Sequence, residues 1–227
     1  MRWEFNFDLP TSIEFGNGTV NNVGKRAKEL GGEKVLIITD KGLAQTGILE
    51  RITDSLEQEG VSYLVYDEIT PNPKDIDCVK AYEKFKGEQI DLLIGLGGGS
   101  SMDTAKAIGV LFTHDGELKD YYGFDKLERK ITPLICIPTT SGTGSEVTKG
   151  SVITDTITKQ KEAILDIKLA AKLAIVDPEL TLTLPKSITA ATGMDALTHA
   201  IEAYTANVAE PISDALSLYA IELIAKH

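Results

Sequence analysis

Cysteine is scarce in this chain of 227 residues: only Cys78 and Cys136 occur, in no C-x-x-C or metal-ligand spacing. A disulfide framework is thereby excluded, and two buried thiols in a reducing compartment are expected. Histidine is limited to His114, His199 and His227. No uninterrupted apolar run approaches the roughly 18 residues needed to span a bilayer. The opening Met1-Arg2-Trp3-Glu4-Phe5-Asn6-Phe7-Asp8 has no apolar h-region, so no secretory signal is visible. Basic residues are in deficit, 23 Lys and Arg against 34 Asp and Glu, a net charge of −11. A nucleic-acid partner needs a basic face and is not expected; nor is a membrane. What remains is a cytoplasmic globular protein, 42% hydrophobic and 25% charged, with ample core for stability without staples.

Short apolar runs alternate with amphipathic stretches. Val35-Leu36-Ile37-Ile38 is continuous and bounded by Gly31-Gly32 and Lys41-Gly42, which suits a strand buried on both faces of a parallel sheet. Residues 61–66, 91–96 and 133–137 read the same way. Helical stripes lie between them: Val20, Val23, Ala27 and Leu30; Ile48, Leu49, Ile52 and Leu56; Ile76, Val79, Ala81 or Tyr82, and Phe85. This pattern predicts βαβ units and an open α/β architecture. Residues 147–154 and 162–165 look like two short strands joined by a polar turn, and 173–176 like a last one. From Pro185 onward the pattern is helical, over 188–204 and 212–225. We therefore expect an α/β domain over 1–180 and the first helices of an all-α domain over 181–227. The apolar stripe Leu216, Tyr219, Ala220 and Leu223 runs close to the chain end, so exposed apolar surface is expected.

Three segments could carry chemistry. Gly97-Gly98-Gly99-Ser100-Ser101-Met102-Asp103 follows a strand and opens a helix with Ala105, Ile108, Gly109 and Phe112 on its buried face. Ser100 is the expected N-cap, with Asp103 at the capping-box position. Glycines at such a turn let a ligand approach the peptide N–H groups, and the helix dipole favours an anion such as pyrophosphate; a tight, well-capped turn is the plain alternative. Asp40 ends the first strand recognised here, where a carboxylate can bind both ribose hydroxyls of an adenosine and repel a 2′-phosphate. Taken alone, an exposed turn aspartate before Lys41-Gly42 is the plainer reading; the glycine turn at the same sheet edge supports the ribose one. Residues 139–145 form a hydroxyl-rich loop after another strand. Asp195 and His199, spaced i, i+4, share a helix face, either as an ordinary hydrogen-bonded pair or as one oxygen and one nitrogen ligand to a metal.

Together these segments resemble the iron-containing (group III) alcohol dehydrogenase family. Gly97-Gly98-Gly99-Ser100-Ser101-Met102-Asp103-Thr104-Ala105-Lys106 is similar to its pyrophosphate signature. Pro138-Thr139-Thr140-Ser141-Gly142-Thr143-Gly144-Ser145-Glu146-Val147-Thr148 is similar to its second cofactor loop, and Met194-Asp195-Ala196-Leu197-Thr198-His199 to its first metal-ligand helix. The resemblance runs from about residue 15 onward. It implies a Rossmann-like domain followed by a helical one, and NAD, rather than NADP, bound in the cleft. By resemblance Asp40 would take the adenosine ribose and Asn72 would line the cleft. Gly97, Gly98, Gly99 and Ser100, opening the motif that carries Asp103, would hold the pyrophosphate. Thr139, Thr140, Thr143 and Thr148 would flank the nicotinamide half, with Lys161 and Leu180 also along the cofactor. Asp195 and His199 would bind Fe2+ or Zn2+. Family members continue further and carry two more histidine ligands, so a truncated chain with an incomplete metal site is expected. The implied activity is NAD-dependent interconversion of a primary alcohol or diol and an aldehyde, in a homo-oligomer. A dinucleotide-binding module without catalysis is the competing reading, and a glycerol-dehydrogenase-like or dehydroquinate-synthase-like relative a third.

Overall fold

In the computed structural model, which describes residues 4–227, the apolar runs become a six-stranded, wholly parallel sheet. Its strands are β1 (Ser12–Phe15), β2 (Lys34–Ile38), β3 (Ser62–Tyr66), β4 (Leu92–Gly97), β6 (Leu134–Pro138) and β9 (Leu173–Val176), in the order β1-β9-β6-β4-β2-β3. Side chains alternate across the sheet. Val35 and Ile37 of β2 enter one apolar layer, with Val23 and Ala27 of α1 (Val23–Glu29) and Ile52 and Leu56 of α2 (Ile48–Gln58). Leu36 and Ile38 enter the other, with Cys78 and Phe85 of α3 (Asp75–Phe85) and Met102, Ala105 and Ile108 of α4 (Gly99–Thr113). Helices on both faces explain why the strands read as unbroken apolar runs.

A small sheet of β5 (Gly123–Phe124), β8 (Lys161–Leu165) and β7 (Gly150–Thr154), in the order β5-β8-β7, stands beside α4. Two helices close the chain: α5 (Lys186–Thr205) and α6 (Pro211–Lys226), the latter capped by Glu210 in a capping box. They pack on each other. As expected, α6 leaves Leu216, Tyr219 and Leu223 exposed. No described helix is long and apolar enough to cross a membrane.

The sequence reading needs four corrections. First, β1 precedes the strand taken as first; it is polar, mostly exposed and paired only with β9, so it lacks an apolar run. Second, α3 buries Cys78, Ala81 and Phe85, whereas Ile76 and Val79 are exposed. Packing against α4 selected a face rotated from the expected stripe. Third, Ser100 is not the N-cap of α4: Gly98 is, with no side-chain cap, because Gly97 at φ +138° turns the chain earlier. Fourth, Asp103 makes no capping box; its carboxylate faces the loop before β7 instead.

The crossing of α1 and α2 depends on the missing side chain of Gly24, whose Cβ would stand 1.9 Å from the Ser55 carbonyl oxygen. Backbone cannot yield as a side-chain tip can. Gly24→Ala is therefore expected to destabilise the fold by about 3 kcal/mol; a urea midpoint equal to that of the parent would contradict this packing.

Candidate functional site

The strand order places the cleft. From β2 the chain steps outward to β3, then returns across β2 to β4 and continues the other way through β6 and β9. Connections therefore diverge between the carboxyl ends of β2 and β4, the switch point where open α/β sheets leave a crevice. Asp40 follows β2 and the glycine turn follows β4, so the two face each other there. Asp40 Oδ1 accepts a hydrogen bond from Leu43 N at 2.9 Å. Its Oδ2 lies on the side of Gly97, 3.7 Å from where a Cβ at that glycine would be.

Two cavities meet at Ser100, which lines both. One, of about 730 Å³, is bordered by Asp40, Gly98, Thr139 and Thr140, and closed by Thr183, Leu184 and Ile188. The other, of about 480 Å³, is bordered by Asn72, Gly99, Asp103, Thr143, Thr148, Lys161, Asp195 and His199. Gly97 lines neither; it makes the turn, and a Cβ on it would press to 2.7 Å from Ser101 Oγ. A Cβ at Gly99 would crowd Thr143 at 3.1 Å. Peptide N–H groups at the start of α4 have no partner within the helix. Beside them, Thr140 Oγ1 is buried without a hydrogen-bond partner among the described residues. Unpaired N–H donors and an orphaned hydroxyl around a glycine-lined hollow fit an anionic group such as pyrophosphate.

Leu180 is not brought to the cleft: it is 1% exposed, in the apolar layer of α1 and α2. Asn72 sits at φ +54° between two prolines, and Pro73 accepts from Thr154 N at 2.8 Å, which ties this corner to β7. The site owes its α5 wall to Gly142, where a Cβ would fall 2.4 Å from the Thr192 carbonyl oxygen. That approach sets Asp195 and His199, one and two turns further along α5, over the loop. Asp195 Oδ1 and His199 Nε2 are 3.7 Å apart, too far for a hydrogen bond, so they stand as two separate donors. Among the described residues no group of three His, Cys, Asp or Glu side chains could hold a metal. A pair supplies fewer donors than the three protein ligands of a catalytic zinc site, so these residues do not by themselves fit a resident ion. The thiols add none: burial pushes Cys136 up to about 12 and raises Cys78 as well.

Sequence reasoning passed over one charged residue. Lys106, adjacent to Ala105 on α4, is fully buried and bonds to the loop before β7. Its signal was visible: a lysine beside the apolar positions of an internal helix needs a polar partner.

Fold and cleft together define an open parallel α/β protein of the Rossmann-like class, with a cleft at the sheet's switch point. The chain belongs to the iron-containing alcohol dehydrogenase family. The model of iron-containing alcohol dehydrogenase matches residues 10–178, and that of the C-terminal region of the same family matches 189–227. It is 43% identical to the NAD-dependent methanol dehydrogenase of Bacillus methanolicus over 96% of this chain and 58% of that protein. It is 41% identical to the 1,3-propanediol dehydrogenase of Citrobacter freundii, over 98% of this chain and 58% of that one. Among solved structures, 1,3-propanediol oxidoreductase superposes with a TM-score of 0.95 at 40% identity, over 98% of this chain and 58% of the other. Sulfoacetaldehyde reductase from Bifidobacterium kashiwanohense, in complex with NAD+, gives 0.91 at 33% identity, over 100% and 59%. The chain thus spans under two thirds of the length of these relatives.

Glu146, in the same loop, has its pKa raised by burial, opposed by a bond to its own backbone and by Lys106. A carboxyl raised on folding leaves the fold most favoured below its unfolded pKa, and that contribution is lost as pH rises through the folded value. Glu146→Gln should therefore raise the urea midpoint at pH 7, with the gain vanishing at pH 4 and below. A gain independent of pH would contradict the burial assignment.

Proposed function

We propose that this chain binds NAD across Ser100 and serves the interconversion of a small primary alcohol or diol and its aldehyde. The adenosine ribose rests on Asp40. The pyrophosphate lies over Gly98, Gly99 and Ser100 at the start of α4, set by the turn at Gly97. The nicotinamide half extends past Thr143 and Thr148 toward Asn72, Lys161 and His199. Asp103 shapes that arm from α4, and Thr139 borders the pyrophosphate. Residues 1–180 act as the cofactor domain and 181–227 as the start of a helical domain. The observation that carries the reading is the unpartnered Thr140 hydroxyl, in the larger cavity, beside the free N–H groups at the start of α4.

In this reading the chain's own part is binding and orientation. Asp40 accepts from both ribose hydroxyls and repels a 2′-phosphate, so NAD is preferred to NADP. The amides and the Thr140 hydroxyl donate to the diphosphate. The smaller cavity, walled by Val152 and Leu165 as well as polar groups, admits a small alcohol beside the nicotinamide. The methanol and propanediol activities named for the relatives support that substrate class. Asp195 and His199 supply two donors toward a divalent iron or zinc, and a complete site needs more. Two unbridged buried cysteines support a reducing cytoplasm. The exposed apolar face of α6 and the free edge of β1 support self-association. The acidic charge supports the absence of a nucleic-acid partner.

Two substitutions test the cofactor assignment by calorimetry. Thr140→Val keeps the shape and removes a hydroxyl the fold leaves unpaired. Its stability should match or exceed the parent's, while NAD affinity falls about tenfold through one lost hydrogen bond. Retained affinity would refute the site. Asp40→Asn keeps an acceptor for Leu43 N and removes the charge, so the preference for NAD over NADP should shrink by about tenfold. An unaltered ratio would remove Asp40 from the ribose.

A further inference from the structure

Lys106 is fully removed from solvent, on a helix whose neighbouring positions Ala105, Ala107 and Ile108 are equally buried. An ammonium in such a layer is costly unless every proton has a partner. Lys106 Nζ donates to the carbonyl oxygens of Ser145 at 2.7 Å, Gly150 at 2.8 Å and Thr148 at 3.0 Å, and to Thr148 Oγ1 at 3.1 Å. All three carbonyls can only accept. Protonated lysine has three donors and no lone pair, so this cage holds the charged form although burial lowers its pKa. No described carboxylate lies within ion-pairing distance of it; the charge is spent on backbone.

The backbone it holds has other ties of modest number. Between residues 144 and 150 these are Val147 N to Gly144 O at 3.0 Å, Thr148 N and Oγ1 to Ser145 O at 3.4 and 3.3 Å, Ser145 N to Thr143 Oγ1 at 3.3 Å, and Asp166 N to Lys149 O at 3.0 Å. One turn earlier on α4, Asp103 adds a parallel tie: Oδ1 accepts from Ser145 Oγ at 2.6 Å and Oδ2 from Val152 N at 3.1 Å. The clamped residues Ser145, Thr148 and Gly150 line only the smaller cavity. Thr139 and Thr140, which border the larger one, are held otherwise, through Thr139 N to Gly97 O at 3.0 Å at the end of β6.

We propose that Lys106 is a positioning residue for the nicotinamide half of the cofactor alone: its ammonium holds residues 145–150 against α4 so that Thr148 completes the cavity beside His199. This rests on reading the cleft as a dinucleotide site, and it deepens that reading by dividing the site into two independently supported halves. The adenosine and pyrophosphate end is set by β2, β4 and the glycine turn. The other end is set from α4, by the buried Lys106 ammonium together with the bonds that Asp103 accepts.

Calorimetry on the full 227-residue chain with NAD and with ADP separates the halves. In Lys106→Met, NAD affinity should fall about tenfold, the equivalent of one or two lost hydrogen bonds, while ADP affinity stays within about twofold. Lys106→Gln, which donates to fewer of the same oxygens, should fall between parent and Met, and carries the comparison if the Met variant does not fold. General loosening would weaken both ligands together, and that result, or unchanged NAD affinity, overturns the assignment to Lys106. A parent chain that binds ADP and NAD equally overturns the division into halves. A parent that binds neither overturns the dinucleotide reading on which the proposal stands.

Discussion

The turn at Gly97 constrains everything around it. There β4, a fully buried central strand, passes into α4 without a side-chain cap, so the first peptide N–H groups of the helix stay unpaired at the sheet's carboxyl edge. Only a glycine accepts φ +138° with Ser101 packed against it. The unpaired N–H groups at a helix start need water or a ligand to complete them, and Gly98, Gly99 and Ser100 are half-buried in the cleft wall where either can reach them. The surrounding residues leave that space open, and the orphaned hydroxyl of Thr140 points to the same need.

The cleft is the meeting of three layers, each fixed by a different force. Apolar burial places α4 on the sheet, so the turn projects between β2 and β6. Hydrogen bonds donated by Lys106 and accepted by Asp103 bring the loop before β7 onto α4. The close approach of Gly142 to Thr192 then lays α5 across the loop and hangs Asp195 and His199 over the opening. Redox chemistry assisted by a metal asks for donors beyond the two that α5 presents.

Much of this was legible in residue order. The strands over 34–38, 92–97, 134–138 and 173–176 announced themselves because both faces are buried, leaving unbroken apolar runs, and the edge strand over 62–66 by its Tyr63-Leu64-Val65-Tyr66 run. The cofactor candidates Asp40, Asn72, Ser100, Thr140, Thr143, Thr148 and Lys161 all border the two cavities. Leu180 does not, since its neighbours Thr183 and Leu184 form the wall and its own side chain turns to the core. β1 was hidden because an exposed edge strand needs no apolar run, and its partner is β9, far along the chain.

Local pattern determined the α/β alternation, the glycine turn and the pairing of Asp195 with His199 on one helix face, because each depends on residues a few positions apart. Tertiary structure alone decided which face α3 buries, where α4 begins and what Asp103 and Lys106 hold. Those outcomes follow from contacts between segments distant in sequence, where packing and the need to satisfy a buried charge outweigh local preference.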